Sequence, residues 1–159
     1  MNRRPLLLAL LASPLASLPL AARAHHGWSS FDQGKPLVLA GRATQVAWRN
    51  PHAELTLELP PEPKLPADLM SRPVPPQTAA VDGQALLAAA KLPTRRDKRW
   101  QVELAPLTRL AAWQVAEIKP GTELVVLGFT FAGEQGAATL RAEYLWVAGG
   151  AYGLRSNPV

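Results

Sequence analysis

From His52 to Leu59 the chain alternates without a break: Ala53, Leu55, Leu57 and Leu59 fall on one side, His52, Glu54, Thr56 and Glu58 on the other. A period of two sends successive side chains to opposite faces of a pleated strand, so this segment is read as a half-covered β-strand. A second strand pattern precedes it, from Leu37 to Trp48. There Val38, Ala40, Val46 and Trp48 share one parity, Arg42 and Thr44 interrupt them, and Gly41 predicts a bend or bulge. Asn50-Pro51 is a turn signal, and the two strands with their short link predict an antiparallel hairpin.

The pattern then stops. Half of the sixteen prolines fall within residues 60–98, and proline neither donates to a β-ladder nor continues a helix. Residues 83–92 are alanine-rich and predict one short helix inside this stretch. The whole segment reads as an exposed, mobile excursion between two strands. A link this long is uncommon in a compact domain, and a lineage-specific insertion is favoured over a functional arm.

Order resumes with alternation over residues 99–104. Leu107, Leu110, Ala111, Gln114, Val115 and Ile118 recur at helical spacing and predict an amphipathic helix over 107–118, stopped by Lys119-Pro120-Gly121. Two strands follow, over 123–131 and 138–147, joined by a turn at 133–136. Residues 149–159 read as a loose tail. The order β-β-(insertion)-β-α-β-β, with a bent first strand, is that of a small five-stranded OB-like barrel: all-β with one helix, a single domain over residues 25–148. The rival is an open antiparallel sheet with the helix packed across it.

The start of the chain bears on location. Arg3 and Arg4 precede an apolar run from Leu6 to Leu20, and Ala22-Arg23-Ala24 supplies the small residues that a signal peptidase reads. These three parts predict a signal peptide over residues 1–24, cleaved after Ala24, and a periplasmic product. The run is shorter than the roughly 20 residues that span a bilayer, and Pro14 and Pro19 break it, so no membrane anchor is expected after cleavage. Arg3, Arg4 and Arg23 leave with the leader, which leaves 14 basic and 12 acidic residues. That near balance argues against a nucleic-acid partner, and the cluster Arg95, Arg96, Lys98 and Arg99 reads as a solvated loop. With no cysteine there is no disulfide, thiolate metal site or thiol nucleophile.

Several motifs are familiar together: His25-His26-Gly27-Trp28-Ser29-Ser30-Phe31-Asp32, Trp48-Arg49-Asn50-Pro51-His52, Trp100-x-Val102-Glu103-Leu104, Leu107-x-x-Leu110, Ile118-Lys119-Pro120-Gly121 and Arg141-Ala142-Glu143. Over residues 25–59 and 99–148 the chain resembles a family of uncharacterised exported bacterial proteins that carries only a domain-of-unknown-function label. Residues 60–98 depart from that family's pattern, which has a shorter link. The resemblance implies a small periplasmic domain and supplies no activity.

Only three histidines are present: His25, His26 and His52. Cleavage after Ala24 makes His25 the first residue, so one side chain and one amine offer two nitrogen ligands. Amine and neutral imidazole suit copper(II) above the other divalent metals. The bland reading is a polar terminus that binds nothing, with His52 satisfied at a strand start. Leu37 and His52 lie at opposite ends of the first strand, about 40 Å apart if it were straight. His52 therefore joins a terminal site only if the lead-in doubles back. Of five tryptophans, Trp48 shares a face with apolar neighbours, whereas Trp28 and Trp113 lack a core parity. Those two, with Asp32 and Asn50, are the candidate ligand or partner surface. No paired carboxylates, serine elbow or phosphate loop appears, so no catalytic residue is assigned and an enzyme is the least supported class. Two readings remain. One is a non-catalytic periplasmic accessory module binding a protein or small ligand; the other is a copper(II) protein using its mature terminus.

Overall fold

A computed structural model describes residues 27–159; the leader, the cleavage site, His25 and His26 lie outside them. The described chain forms β1 (Leu37–Ala47), β2 (Glu54–Glu58), α1 (Gly83–Ala89), β3 (Arg99–Glu103), α2 (Leu107–Ala112), β4 (Glu123–Phe129), β5 (Thr139–Val147) and β6 (Gly150–Gly153). Strand order is β3-β2-β1-β4-β5-β6, and a further parallel pairing of β3 with β5 closes the first five strands into a barrel. The expected OB-like barrel is therefore present, with β6 added to it.

β1 serves both halves. Its first part pairs with β4 and its second with β2, with the exchange at Arg42. Gly41 sits where a Cβ would collide with the backbone carbonyl of Glu58, so only glycine permits that approach. The register slips just beyond, between Ala43 and Gln45. This slip corrects the one-face reading of β1. Leu37 and Leu39 point into the barrel and Val38 out of it, whereas Val46 packs against the interior cluster. Val38 and Val46 share parity but not side, because a bulge reverses which parity faces the core.

The interior holds Leu39, Leu55, Leu57, Trp100, Val102, Val126, Leu140 and Leu145, each at most 1% exposed. Leu110, Val115 and Ile118 join the same cluster, as the helical spacing suggested, but α2 ends at Ala112. Gln114 takes φ 55°, and the Val115 N–H returns to the Leu110 carbonyl at 2.9 Å. The chain thus leaves the helix through a left-handed residue, and Val115 and Ile118 reach the core from irregular backbone.

Two further expectations are overturned. Residues 60–98 do not lie wholly outside the core. They wrap the outer face of β1, β4 and β5 and build a second cluster, in which Leu69, Leu87 and Ala90 pack against Val38, Leu127, Tyr144 and Trp146. The Trp146 indole N–H donates to the Pro73 carbonyl at 2.7 Å, and Lys91 pairs with Leu37 as an isolated bridge. Proline's incapacity for ladders does not prevent burial, because a few leucines and one short helix suffice to cover a sheet face. The tail is not loose either: β6 pairs with β5, Leu154 is fully buried, and Pro158 bridges to Gln77. Among the described residues no helix is long and apolar enough to cross a membrane.

Candidate functional site

Two places on the outside of the barrel concentrate chemistry. The first is a charged and aromatic network where the lead-in meets β4, β5 and β3. Arg141 and Glu143 project from β5, and a bulge between Leu127 and Gly128 of β4 lies beside them. Arg141 is 4% exposed and donates from Nη1 to Glu103 Oε2 at 3.2 Å. Its Nη2 lies 3.3 Å from His52 Nε2. A guanidinium only donates, so that imidazole nitrogen is the acceptor. Glu143 is fully buried and accepts from Arg155 Nε at 2.7 Å and Gln77 Nε2 at 2.9 Å. Burial pushes the Glu143 carboxyl above its usual range, more than Arg155 and Gln77 pull it down. Burial likewise lowers the Arg109 guanidinium, helped by the positive charge of Arg141.

Trp28 covers this network. The guanidinium carbon of Arg155 lies 4.1 Å from its ring centre and that of Arg141 5.1 Å, and Phe129 meets it edge-on at 6.3 Å. Trp28 is thus a half-buried anchor of the lead-in, not the free surface aromatic expected. Trp113 is corrected in the same way: its indole N–H donates to the Ser156 carbonyl at 2.8 Å and its ring packs on the interior cluster. Asn50 is exposed in the β1–β2 turn, before a cis peptide to Pro51.

The lead-in does come close to His52, but not by doubling back along β1. Phe129 pairs with Arg141 across β4 and β5, Arg141 with Glu103 across β5 and β3, and Glu103 with Glu54 across β3 and β2. Three ladder steps of about 5 Å around the closed barrel replace the length of β1. Closure by the β3–β5 pairing was the missing information.

The second place is a concavity of about 540 Å³, the size of a small-molecule pocket. Three segments enclose it: the turn from Asp32 to Leu37, the end of the excursion from Ala89 to Thr94, and the β4–β5 connection from Thr130 to Glu134. Backbone bonds tie the walls together. Asp32 N–H donates to the Thr130 carbonyl at 2.8 Å, Lys91 N–H to Pro36 at 3.1 Å and Val38 N–H to Lys91 at 2.9 Å. Glu134 clamps the third corner by accepting from Thr94 N at 2.9 Å and Arg95 N at 3.0 Å. Burial raises the Glu134 carboxyl, but those backbone donors and Arg95 outweigh it and hold the group below its usual range. Asp32, a predicted surface residue, lines this cavity. Its carboxylate accepts from Gly34 N at 3.2 Å and meets Lys35 Nζ at 3.5 Å. The cavity was invisible in the sequence because its walls come from three separated segments.

The outer face of β2 and β3, where barrels of this type hold oligonucleotides, carries Glu54, Glu58 and Glu103 with Arg99 and Gln101. Arg99 pairs with Glu58 at 3.5 Å and Gln101 with Glu54 at 3.2 Å. That face offers carboxylates rather than stacking rings. Among the described residues no three His, Asp or Glu side chains come together as a metal site.

Residues 12–64 match the family model described as a family of unknown function (DUF6152). Within the described residues, that range spans the lead-in, β1, β2 and the first residues of the excursion. Comparison with curated proteins and with solved structures returned no match.

Proposed function

We propose that this chain is an exported, periplasmic, non-catalytic binding module whose ligand site is the cavity between the lead-in, the excursion and the β4–β5 connection. One observation carries the reading: three segments that the barrel does not need for closure are cross-linked around a single concavity, with Pro36, Leu37, Ala89, Leu92 and Phe131 in its wall. A rigid, mostly apolar concavity with a few polar groups is what small-ligand sites have in common. Expression with the native leader, followed by periplasmic release and mass analysis, tests it. The intact mass should correspond to a chain starting at His25, and native spectra should show a retained small molecule that is lost when Ala89→Trp fills the cavity. Soluble product still carrying residues 1–24, or identical spectra for the two proteins, would overturn it.

A second reading, a copper(II) site at a mature terminus formed by His25 and His26, is favoured by the docking of Trp28 three residues further on. His52 contributes less than its proximity suggests. Its Nε2 faces Arg141, a cation where a second cation would have to bind. Copper affinity should therefore fall sharply when one residue is added before His25, since the amine becomes an amide, and should change little in His52→Ala. Equal calorimetric affinity for the native and extended termini would remove this reading.

A further inference from the structure

We infer that the cavity takes an amphiphilic monocarboxylate, an unbranched fatty acid of medium length, with its tail against the apolar wall and its head group at Lys91. The inference rests on the binding-module reading and adds the class of ligand.

The charges around the cavity narrow the choice. Four ionisable residues line it: Asp32, Lys35, Lys91 and Glu134. Three are already engaged, Asp32 with Lys35 and its own turn, and Glu134 with the backbone of Thr94 and Arg95. Lys91 makes no ion pair among the described residues, although its backbone is fixed on both sides by Pro36 and Val38. One anchored, uncommitted cation recognises a single negative charge. A phosphate or a dicarboxylate would bring charge that the neighbouring Asp32 and Glu134 repel.

A second polar group is in place. Thr130 lines the cavity and is 4% exposed, and its Oγ1 has no hydrogen-bond partner among the described residues. Buried hydroxyls are almost always partnered, so this one is poised for a ligand oxygen. The apolar side chains of the wall are Pro36, Leu37, Ala89, Leu92 and Phe131, and Phe131 is held flat against Phe31 with ring centres 5.0 Å apart. Such a wall offers more contact to an alkyl chain than hydrogen-bond partners to a sugar or a peptide backbone. A concavity of about 540 Å³ leaves ample room for a tail of medium length.

Calorimetric titration of the purified protein with decanoate, decanol and acetate tests this. Decanoate should bind, decanol about tenfold more weakly, and acetate not measurably. Lys91→Gln should weaken decanoate about fivefold or more and leave decanol unchanged, the signature of a lost charge contact rather than a lost fold. Lys91 is exposed, so this variant keeps the wall intact. Thr130→Val, nearly isosteric, should weaken both ligands by a smaller factor. If decanoate and decanol bind alike and Lys91→Gln changes neither, the ligand class is wrong while the module reading stands. If neither binds to folded protein, the inference fails, and retention of some other small molecule decides the module reading separately.

Discussion

β2 and β5 are two strands of one barrel, and they meet the surrounding medium in opposite ways. In β2 burial alternates, with Leu55 and Leu57 inside and Glu58 in water. In β5 all nine residues are buried, Arg141 and Glu143 included. The inner faces are equivalent. The outer face of β2 stays half-buried to exposed, while that of β5 lies under the excursion, the lead-in and the C-terminal segment. A strand's own pattern says which way its side chains point. Whether the outward ones meet water depends on what the rest of the chain lays over them. On β5 the result is a polar layer held by Glu103, Gln77 and Arg155, because unpaired charge is costly where water is excluded; among the described residues Arg141 Nε is the donor of this layer left without a partner.

The largest expected effect is on the wrap itself. Replacing residues 61–97 with a short Gly/Ser turn gains a little loop-closure entropy, but it strips the cover from Val38, Leu127, Tyr144 and Trp146. At about 1.5–3 kcal/mol for each large side chain uncovered or removed, the loss should exceed about 5 kcal/mol and abolish cooperative unfolding by circular dichroism. A folded deletion variant would return the excursion to the status of a dispensable loop.

Glu143→Ala comes next. It leaves Gln77 and the partly buried Arg155 without their acceptor and should cost about 3 kcal/mol in denaturant unfolding. Leu87→Ala removes the buried leucine by which α1 joins the second cluster and should cost about 3 kcal/mol, within the range expected for Leu55→Ala inside the barrel. A cost below about 1 kcal/mol at Leu87 would mean that the wrap is only loosely attached.

The pH dependence separates the strands more gently. Glu143 is raised in the folded protein, so the native state takes up a proton before the unfolded chain does. Its contribution to stability should rise as pH falls from that raised value to the ordinary glutamate range, and be complete below it. Glu134 has the opposite sign, since its folded value is depressed. The stability it supplies is present above the ordinary range and lost as pH falls through the folded value. Melting temperature followed over this range should show a smaller rise on acidification in Glu143→Gln and a shallower final fall in Glu134→Gln. If neither substitution alters the profile, these carboxylates are not the groups responsible. The smallest effect belongs to Glu58→Ala on β2, whose exposed partner Arg99 is 3.5 Å away; it should stay within about 0.5 kcal/mol.

Local pattern alone determined much of the barrel: the alternation of β2 and β3, the turn at Asn50-Pro51, the break after Lys119 and the order of five strands around one helix. These depend on a period and on the backbone limits of glycine and proline, which are properties of short segments. Only the tertiary structure decided the reversal of face within β1, the exit from α2 at Gln114, the burial of Arg141 and Glu143, and the docking of Trp28 near His52. It also decided that residues 60–98 and the C-terminal segment are cover rather than loop and tail. The reason is physical. Periodicity reports where a side chain points relative to its own backbone, whereas burial, ion pairing and cavities depend on segments far away in sequence that have no periodic relation to it.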